Sequence, residues 1–158
     1  TLLATSCRVG GIVADLPRPQ IDALTRFGRE YGMAFQVVDD VLDLVATDAQ
    51  LGKPAGHDMV EGVYTLPVIW ALAGHDGTAL RMLLTTEMDD EALTRAAEIV
   101  RGSGVLEHAI SRARAYASSA QSALDDLPES PGRRGLSAAA DHLVGVVEAA
   151  ALQPAVTG

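Results

Sequence analysis

The sequence predicts an all-α fold. Apolar residues recur at helical spacing over most of the 158 residues, whereas the alternation of apolar and polar residues that marks a half-buried strand is nearly absent. Only 4% of the residues are aromatic, and alanine and leucine recur throughout, which favours helices packed through small and branched aliphatic side chains. With 48% hydrophobic residues, a chain of this length can bury a core.

The first two predicted helices flank a proline-rich break. Residues 1 to about 15 form the first helix, and the sequence Leu-Pro-Arg-Pro at 16–19 ends it, because a residue before proline is displaced from the α region. The second helix is long and runs from about Gln20 to Ala46. Residues 47–60 are rich in Gly, Asp and Pro and lack an apolar period, so we expect a loop there.

Further helices are predicted in the remaining sequence. One begins with Pro67 in its first turn, where the missing amide costs little, and we expect Trp70 in the core. Asp89 and Asp90 suit a helix N-terminus, so we interpret them as a cap and not as a second metal site. The predicted helices cover 65–73, 77–85, 89–101, 105–127 and 136–152, with a turn over 128–135.

No repeat, linker or shift in composition divides the sequence. We therefore predict one domain over residues 1–152 and a frayed tail over 153–158. Thr1 already lies inside a helical pattern, with no methionine or cap before it. This pattern leads us to expect that the chain begins in the middle of a fold.

Charge and cysteine content exclude several classes of protein. The formal net charge is −9, whereas nucleic-acid surfaces and basic membrane patches need clustered Lys and Arg. Cys7 is the only cysteine, which excludes a disulfide framework, and we expect it to be a small buried side chain. No run approaches the roughly 18 apolar residues of a transmembrane helix. We therefore expect a soluble, cytoplasmic protein without a transmembrane segment.

Three carboxylates interrupt the apolar second helix. Asp39, Asp40 and Asp43 are spaced i, i+1 and i+4, so Asp39 and Asp43 share a face with Asp40 beside them, and Gln36 joins that face one turn earlier. The surrounding apolar residues predict a helix that is buried all round. A solvated charge patch is the alternative interpretation, but buried carboxylates must be paired or bind a metal. Oxygen ligands without His or Cys favour Mg²⁺.

The segment after this helix carries the only lysine of the chain. Lys53 lies between Gly52 and Pro54, and we expect the loop to bring it and Asp58 back towards the three carboxylates. This placement raises the expectation that Lys53 has a functional role at the site. His57 has no second His or Cys nearby, so we do not interpret it as a metal ligand.

Together these residues resemble the trans-type isoprenyl diphosphate synthases, the polyprenyl synthetase family. Positions 35–43 read Phe-Gln-x-x-Asp-Asp-x-x-Asp, which is similar to the second aspartate-rich motif of the family. Positions 52–58 read Gly-Lys-Pro-x-x-x-Asp and positions 61–67 read Glu-Gly-x-x-Thr-Leu-Pro, which are similar to the segment after that motif. The likeness extends from Thr-Ser-Cys at 5–7 to Leu-Pro at 127–128, so it covers most of the chain.

The resemblance implies a fold and an activity. The fold is the C-terminal portion of an isoprenoid-synthase helical bundle, normally a homodimer, whose cavity holds an allylic diphosphate and Mg²⁺ between two aspartate-rich motifs. The activity is that of a chain-elongating prenyltransferase of isoprenoid biosynthesis, which condenses an allylic diphosphate with isopentenyl diphosphate. Val63 stands where the family usually has a second lysine, which removes one cationic contact.

The resemblance also implies roles for the site residues. Asp39 would bind Mg²⁺ directly, and Lys53 would pair with the oxygens of the allylic diphosphate, so these two are the predicted catalytic residues. The remaining predicted members of the site are Asp40 and Asp43 as direct or water-mediated metal ligands, Asp58 as support for the metal, and Gln36 as a hydrogen-bonding residue near the allylic diphosphate.

Alternative functions remain open at the level of sequence. The first aspartate-rich motif and the basic residues that bind isopentenyl diphosphate do not occur in these 158 residues, so we expect the chain alone to be inactive. A non-catalytic partner subunit or remnant of such a synthase is one alternative, and a terpene cyclase on the same fold is another. The segment at 52–67 favours a synthase over a cyclase. The resemblance does not predict the product chain length, because in the family the residues that floor the cavity usually precede the first aspartate-rich motif.

Overall fold

Helices make up the fold. The structure is a computed structural model that describes residues 2–45, 56–85 and 88–152. No strand occurs in these ranges, so the all-α prediction is confirmed. The helices are α1 (Leu2–Val13), α2 (Arg18–Val45), α3 (His57–Val60), α4 (Leu66–Leu72), α5 (Gly77–Leu83), α6 (Asp90–Gly102), α7 (Val105–Ala123), a 3₁₀ turn (Leu124–Asp126) and α8 (Pro131–Ala151).

The break between α1 and α2 lies next to Pro17 and Pro19, close to where the sequence predicts it. Asp15 adopts a left-handed conformation with φ of 51°, and the amide of Leu16 donates to the carbonyl oxygen of Gly11 at 3.1 Å. This hydrogen bond satisfies one of the carbonyls that a helix end leaves without a partner. The carbonyl oxygen of Pro17 then accepts the amide of Gln20 at 2.9 Å at the start of α2.

The last helix begins earlier than predicted. The proposed turn over 128–135 is wrong in its second half, because α8 starts at Pro131. Ser130 Oγ accepts the backbone amide of Arg133 at 3.1 Å, and proline is favourable at the first helical position. The Ser-Pro pair therefore starts a helix here. The predicted tail over 153–158 lies outside the described residues.

Residue contacts group the chain into two compact units. The first unit comprises Thr1–Val38 with Ser111–Val146, and the second comprises Asp39–Ile110 with Val147–Gly158. Helices α2, α7 and α8 each contribute residues to both units. The prediction of one domain over residues 1–152 stays a prediction.

The first unit packs α1 closely against α2. A Cβ atom added to Gly28 would lie 2.6 Å from the carbonyl oxygen of Leu3 and 2.9 Å from Sγ of Cys7, so only glycine fits at this approach. The rings of Phe27 and Tyr31 stack with their centroids 5.5 Å apart. The buried cluster of this unit contains Phe27, Ala120, Ala123 and Leu124, with Cys7, Tyr31, Leu127 and Leu136 packed against it.

The core of the second unit includes Leu44 of α2 and Met59 of α3. Trp70 is partly buried and packs against this core, which confirms that it is a packing residue. Asp89 caps α6, since its side chain accepts the amide of Ala92 at 2.8 Å, as the sequence predicts. The buried residues of this core are Leu44, Met59, Val68, Ala71, Leu80, Leu93, Ala96, Ala97, Val100 and Val105.

One stripe of α2 differs from the prediction of a helix that is buried all round. Met33 is 44% exposed and Phe35 is 49% exposed, and Gln36 and Asp39 are also exposed. The prediction that α2 is buried all round is therefore wrong for these residues. In the ranges that the structure describes, no helix combines the length and the apolar character needed to cross a membrane.

Candidate diphosphate and metal site

The three carboxylates of α2 differ in their exposure. Asp39 is exposed, whereas Asp40 is 9% exposed and Asp43 is 5% exposed. The interpretation as a solvated charge patch therefore does not describe Asp40 and Asp43. A buried carboxylate must find hydrogen-bond donors or a cation, since leaving water is costly for a charged group.

Asp43 contacts the start of the segment that follows the undescribed residues 46–55. Its backbone carbonyl oxygen accepts the amide of Gly56 at 2.6 Å. Its side-chain Oδ2 accepts the amide of Asp58 at 3.4 Å, which is long for a hydrogen bond but places a donor against the carboxylate. Gly56 has a φ of 76°, a left-handed conformation that glycine adopts without strain. These contacts hold the beginning of α3 against the acidic turn of α2.

Asp40 contacts the end of the same segment. Its Oδ2 accepts the amide of Leu66, the first residue of α4, at 3.4 Å. Thr65 precedes Leu66 as the N-cap residue of α4 and is buried. Asp40 and Asp43 therefore hold the two ends of residues 56–66, whereas the carboxylate of Asp39 is open to solvent.

Helix α3 places the remaining described residues of the predicted site. The amide of Val63 donates to the carbonyl oxygen of Asp58 at 2.8 Å and closes this short helix. His57 Nε2 lies 3.2 Å from Glu61 Oε1, a contact that becomes an ion pair when the histidine is protonated. Val63 is 51% exposed. Its open position agrees with a surface where a longer side chain could reach a ligand.

The structure brings four of the six predicted residues together. Asp39, Asp40 and Asp43 share the last two turns of α2, and the backbone of Asp58 lies against Asp43. Gln36 lies one turn earlier on the same helix and is exposed. Lys53 lies outside the described residues. Its predicted contact with a diphosphate therefore stays a prediction.

The described carboxylates do not form a closed metal cage. Within residues 2–45, 56–85 and 88–152, no three His, Cys, Asp or Glu side chains are grouped so that they could hold a metal ion by themselves. Mg²⁺ does not need such a group, because it usually keeps several waters and binds one or two carboxylates together with substrate phosphates. The donor set on α2 thus fits Mg²⁺ in the presence of a phosphate ligand.

One contact at this turn has no signal in the sequence. Arg101, on α6, donates from Nε to the backbone carbonyl oxygen of Leu44 at 2.9 Å. Leu44 directly follows Asp43, but Arg101 lies 57 residues further along the chain. No spacing rule links residues that far apart, so only the tertiary structure identifies the pair.

A family comparison identifies the chain. The sequence model of the family described as polyprenyl synthetase matches residues 1–100, more than half of the chain. The chain belongs to the polyprenyl synthetase family. This result confirms the resemblance that the aspartate-rich motif and the segment after it indicate.

Individual relatives agree with the family match. The chain is 37% identical over 147 residues to the nonaprenyl diphosphate synthase of Mycobacterium tuberculosis, covering 91% of this chain and 44% of the relative. It is 35% identical over 132 residues to heptaprenyl diphosphate synthase component 2 of Geobacillus stearothermophilus, covering 84% of this chain and 41% of the relative. This polyprenyl synthetase chain thus spans less than half the length of these relatives and corresponds to roughly their C-terminal half.

A solved structure is similar to this chain in fold. The polyprenyl synthase of Caulobacter crescentus, in complex with calcium and isoprenyl diphosphate, superposes with a TM-score of 0.82 at 33% identity. The match covers 90% of this chain and 45% of that one. The predicted helical fold of the isoprenyl diphosphate synthases is therefore confirmed.

Proposed function

We propose that these residues supply part of the active site of a chain-elongating trans-prenyltransferase, which condenses an allylic diphosphate with isopentenyl diphosphate. The observation that carries the proposal is the acidic turn of α2 in a chain of the polyprenyl synthetase family. There Asp39 is exposed, while Asp40 and Asp43 are buried and accept amides of the following segment. The names of the two relatives as prenyl diphosphate synthases support this class of reaction.

Mg²⁺ is the proposed cofactor, and the donors on α2 fit it. They are carboxylate oxygens, which hard cations such as Mg²⁺ prefer. The Caulobacter relative was solved with calcium and isoprenyl diphosphate, which supports a divalent cation and a diphosphate as ligands. When bound, Mg²⁺ stabilises the negative charge that develops on the departing diphosphate.

The residues of α2 have different tasks in this proposal. Asp39 presents its carboxylate to the metal, because it is the exposed member of the three. Asp40 and Asp43 would hold the same ion directly or through water, and they also accept two amides of the following segment. Gln36 is exposed one turn earlier and donates its side-chain amide to an oxygen of the allylic diphosphate. Fixed ligands of this kind orient the leaving group before reaction.

The segment after α2 supplies the remaining contacts. Lys53 donates its ammonium protons to diphosphate oxygens and adds positive charge where the leaving group becomes more negative. Asp58 is anchored through its backbone amide to Asp43 and supports the metal or its waters. Val63 leaves Lys53 without the second lysine that the family resemblance implies, so we expect the allylic substrate to depend strongly on Lys53.

A second candidate function is a subunit of a two-component synthase that is inactive without its partner. The observation in its favour is the name of the Geobacillus relative, which is component 2 of a heptaprenyl diphosphate synthase. We favour a homodimer as the working assembly. Sedimentation of the purified gene product, with prenyl transfer measured on the same sample, separates the two, since a subunit of the second kind gains activity only when another component is added.

A cytoplasmic location belongs to the same proposal. It rests on the single cysteine of the chain, because disulfide frameworks mark oxidising compartments. Cell fractionation with an antibody against the gene product measures it directly, and recovery in a membrane or secreted fraction would contradict it.

Prenyl transfer by the full gene product tests the proposed function. Labelled isopentenyl diphosphate and an allylic diphosphate are supplied with Mg²⁺ or with a chelator, and the products are extracted and separated by length. We expect product only with the metal. Lys53→Ala should raise KM for the allylic substrate more than for isopentenyl diphosphate, whereas Arg81→Ala, at an exposed position of α5, should change neither. Equal losses for both substrates would place Lys53 away from the allylic diphosphate.

A further inference from the structure

The carboxyl end of α2 is held by a side chain from another helix. Arg101, in the last turn of α6, donates from Nε to the carbonyl oxygen of Leu44 at 2.9 Å in a partly buried position. Both residues belong to the second unit. Leu44 is the penultimate residue of α2 as the structure describes that helix, and residue 48, which would donate to its carbonyl in a longer helix, lies outside the described residues. Arg101 therefore ties the last described turn of α2 to α6 through a side-chain hydrogen bond.

The charge of Arg101 adds to this hydrogen bond. Its guanidinium forms no ion pair with any carboxylate among the residues that the structure describes. It lies at the negative end of the α2 dipole, where a cation is stabilising. The same helix end carries Asp40 and Asp43, whose like charges oppose helix formation. Arg101 thus places a positive charge at the end of α2 that carries these two carboxylates.

We propose that Arg101 is a positioning residue that keeps the last turn of α2, and with it Asp40 and Asp43, in helical register while no metal is bound. The purpose of this restraint rests on the proposed function. The restraint itself depends only on the Leu44 contact and can be measured without metal or substrate.

Hydrogen exchange of backbone amides in the 158-residue chain tests the proposal. Arg101→Met removes the charge and the donor but keeps a long, unbranched side chain of similar helix propensity. Arg101→Lys keeps the positive charge and N–H donors, so it is the variant that should restore the restraint. Arg95→Met is the matched control, because Arg95 is exposed on the same helix.

In metal-free buffer, Arg101→Met should raise the exchange rate of residues 42–45 and 56–58 about tenfold over the parent, from loss of a charged hydrogen bond at a helix end. Arg101→Lys should recover most of this protection, and Arg95→Met should match the parent. Equal exchange in Arg101→Met and Arg95→Met would overturn the proposal. An equal rise in Arg101→Met and Arg101→Lys, or a rise spread over α4 and α6, would also overturn it, because a purely structural loss has that pattern.

The same samples with Mg²⁺ and inorganic diphosphate separate this inference from the proposed function. If the carboxylates bind metal, Mg²⁺ and diphosphate together should slow amide exchange at residues 42–45 in the parent. They should also bring the exchange rate of Arg101→Met most of the way back to that of the parent. If the ligands slow amide exchange in the parent but Arg101→Met still exchanges as much faster than the parent as it does without metal, the positioning role is contradicted. Ligands that leave the parent unchanged would contradict the proposed metal site, while the metal-free comparison with Arg95→Met would still decide the role of Arg101.

Discussion

Gly56 joins the acidic turn of α2 to helix α3, and its replacement by alanine tests that junction. Its φ is 76°, and its amide donates to the carbonyl oxygen of Asp43 at 2.6 Å. An added Cβ atom would lie 2.9 Å from Cε of Met59 and 3.1 Å from Cδ1 of Leu93. Gly62 is a matched control, because its φ is 75° and an added Cβ would meet nothing within 4 Å.

The two glycines separate backbone strain from crowding. An alanine held in the left-handed region costs about 1–2 kcal/mol, so Gly62→Ala should lower the free energy of unfolding by that amount. Gly56→Ala carries the same cost and also crowds two buried side chains. The Met59 methyl group is the end of a flexible side chain and can yield in part, so we expect about 1–2 kcal/mol more from this crowding.

Urea denaturation followed by tryptophan fluorescence measures both costs. Trp70 is the only tryptophan and packs against the core that contains Met59 and Leu93, so its signal reports on this part of the chain. The midpoint should fall in both variants at unchanged slope, with the larger fall in Gly56→Ala. If Gly56→Ala costs no more than Gly62→Ala, Gly56 does not pack against Met59 and Leu93 as described.

Two further predictions concern the contact between α1 and α2. Gly28→Ala should lower the free energy of unfolding by about 1–3 kcal/mol, since its Cβ would overlap backbone atoms of α1, while Gly10→Ala, which meets nothing, should be neutral or stabilising in the same thermal melts. Burial raises the pKa of the Cys7 thiol, so less thiolate is present at a given pH, and Cys7 should react with a disulfide reagent more slowly than free cysteine at pH 8. Equal rates for Cys7 and free cysteine would show that the thiol is accessible.

Local patterns predicted most of the helices. The prolines at 17 and 19 and the acids at 89 and 90 marked helix ends correctly, because they act through their own backbone and the adjacent turn. The start of α8 was misplaced, since a turn was predicted over 128–135, whereas Ser130 and Pro131 begin a helix there.

The site could be predicted only in part. Helical spacing placed Asp39, Asp40 and Asp43 in the last two turns of α2, but spacing alone does not tell which of them faces the protein. The burial of Asp40 and Asp43 goes with their contacts to the amides of Leu66 and Asp58. These amides reach α2 only after the chain folds back. For the same reason, no pattern in the sequence could have paired Arg101 with Leu44.

Prenyl transfer with Asp39→Asn in the full gene product tests the central claim most directly. The amide keeps the shape of the side chain but removes the charge that we assign to metal binding. The control is Asp76→Asn, an exposed position at the start of α5 whose side chain makes no capping hydrogen bond. With Mg²⁺ in excess, we expect Asp39→Asn to lower kcat/KM for the allylic diphosphate about a hundredfold or more and Asp76→Asn to leave it unchanged. An Asp39→Asn enzyme as active as the Asp76→Asn control would contradict the assignment of this turn of α2 to the metal.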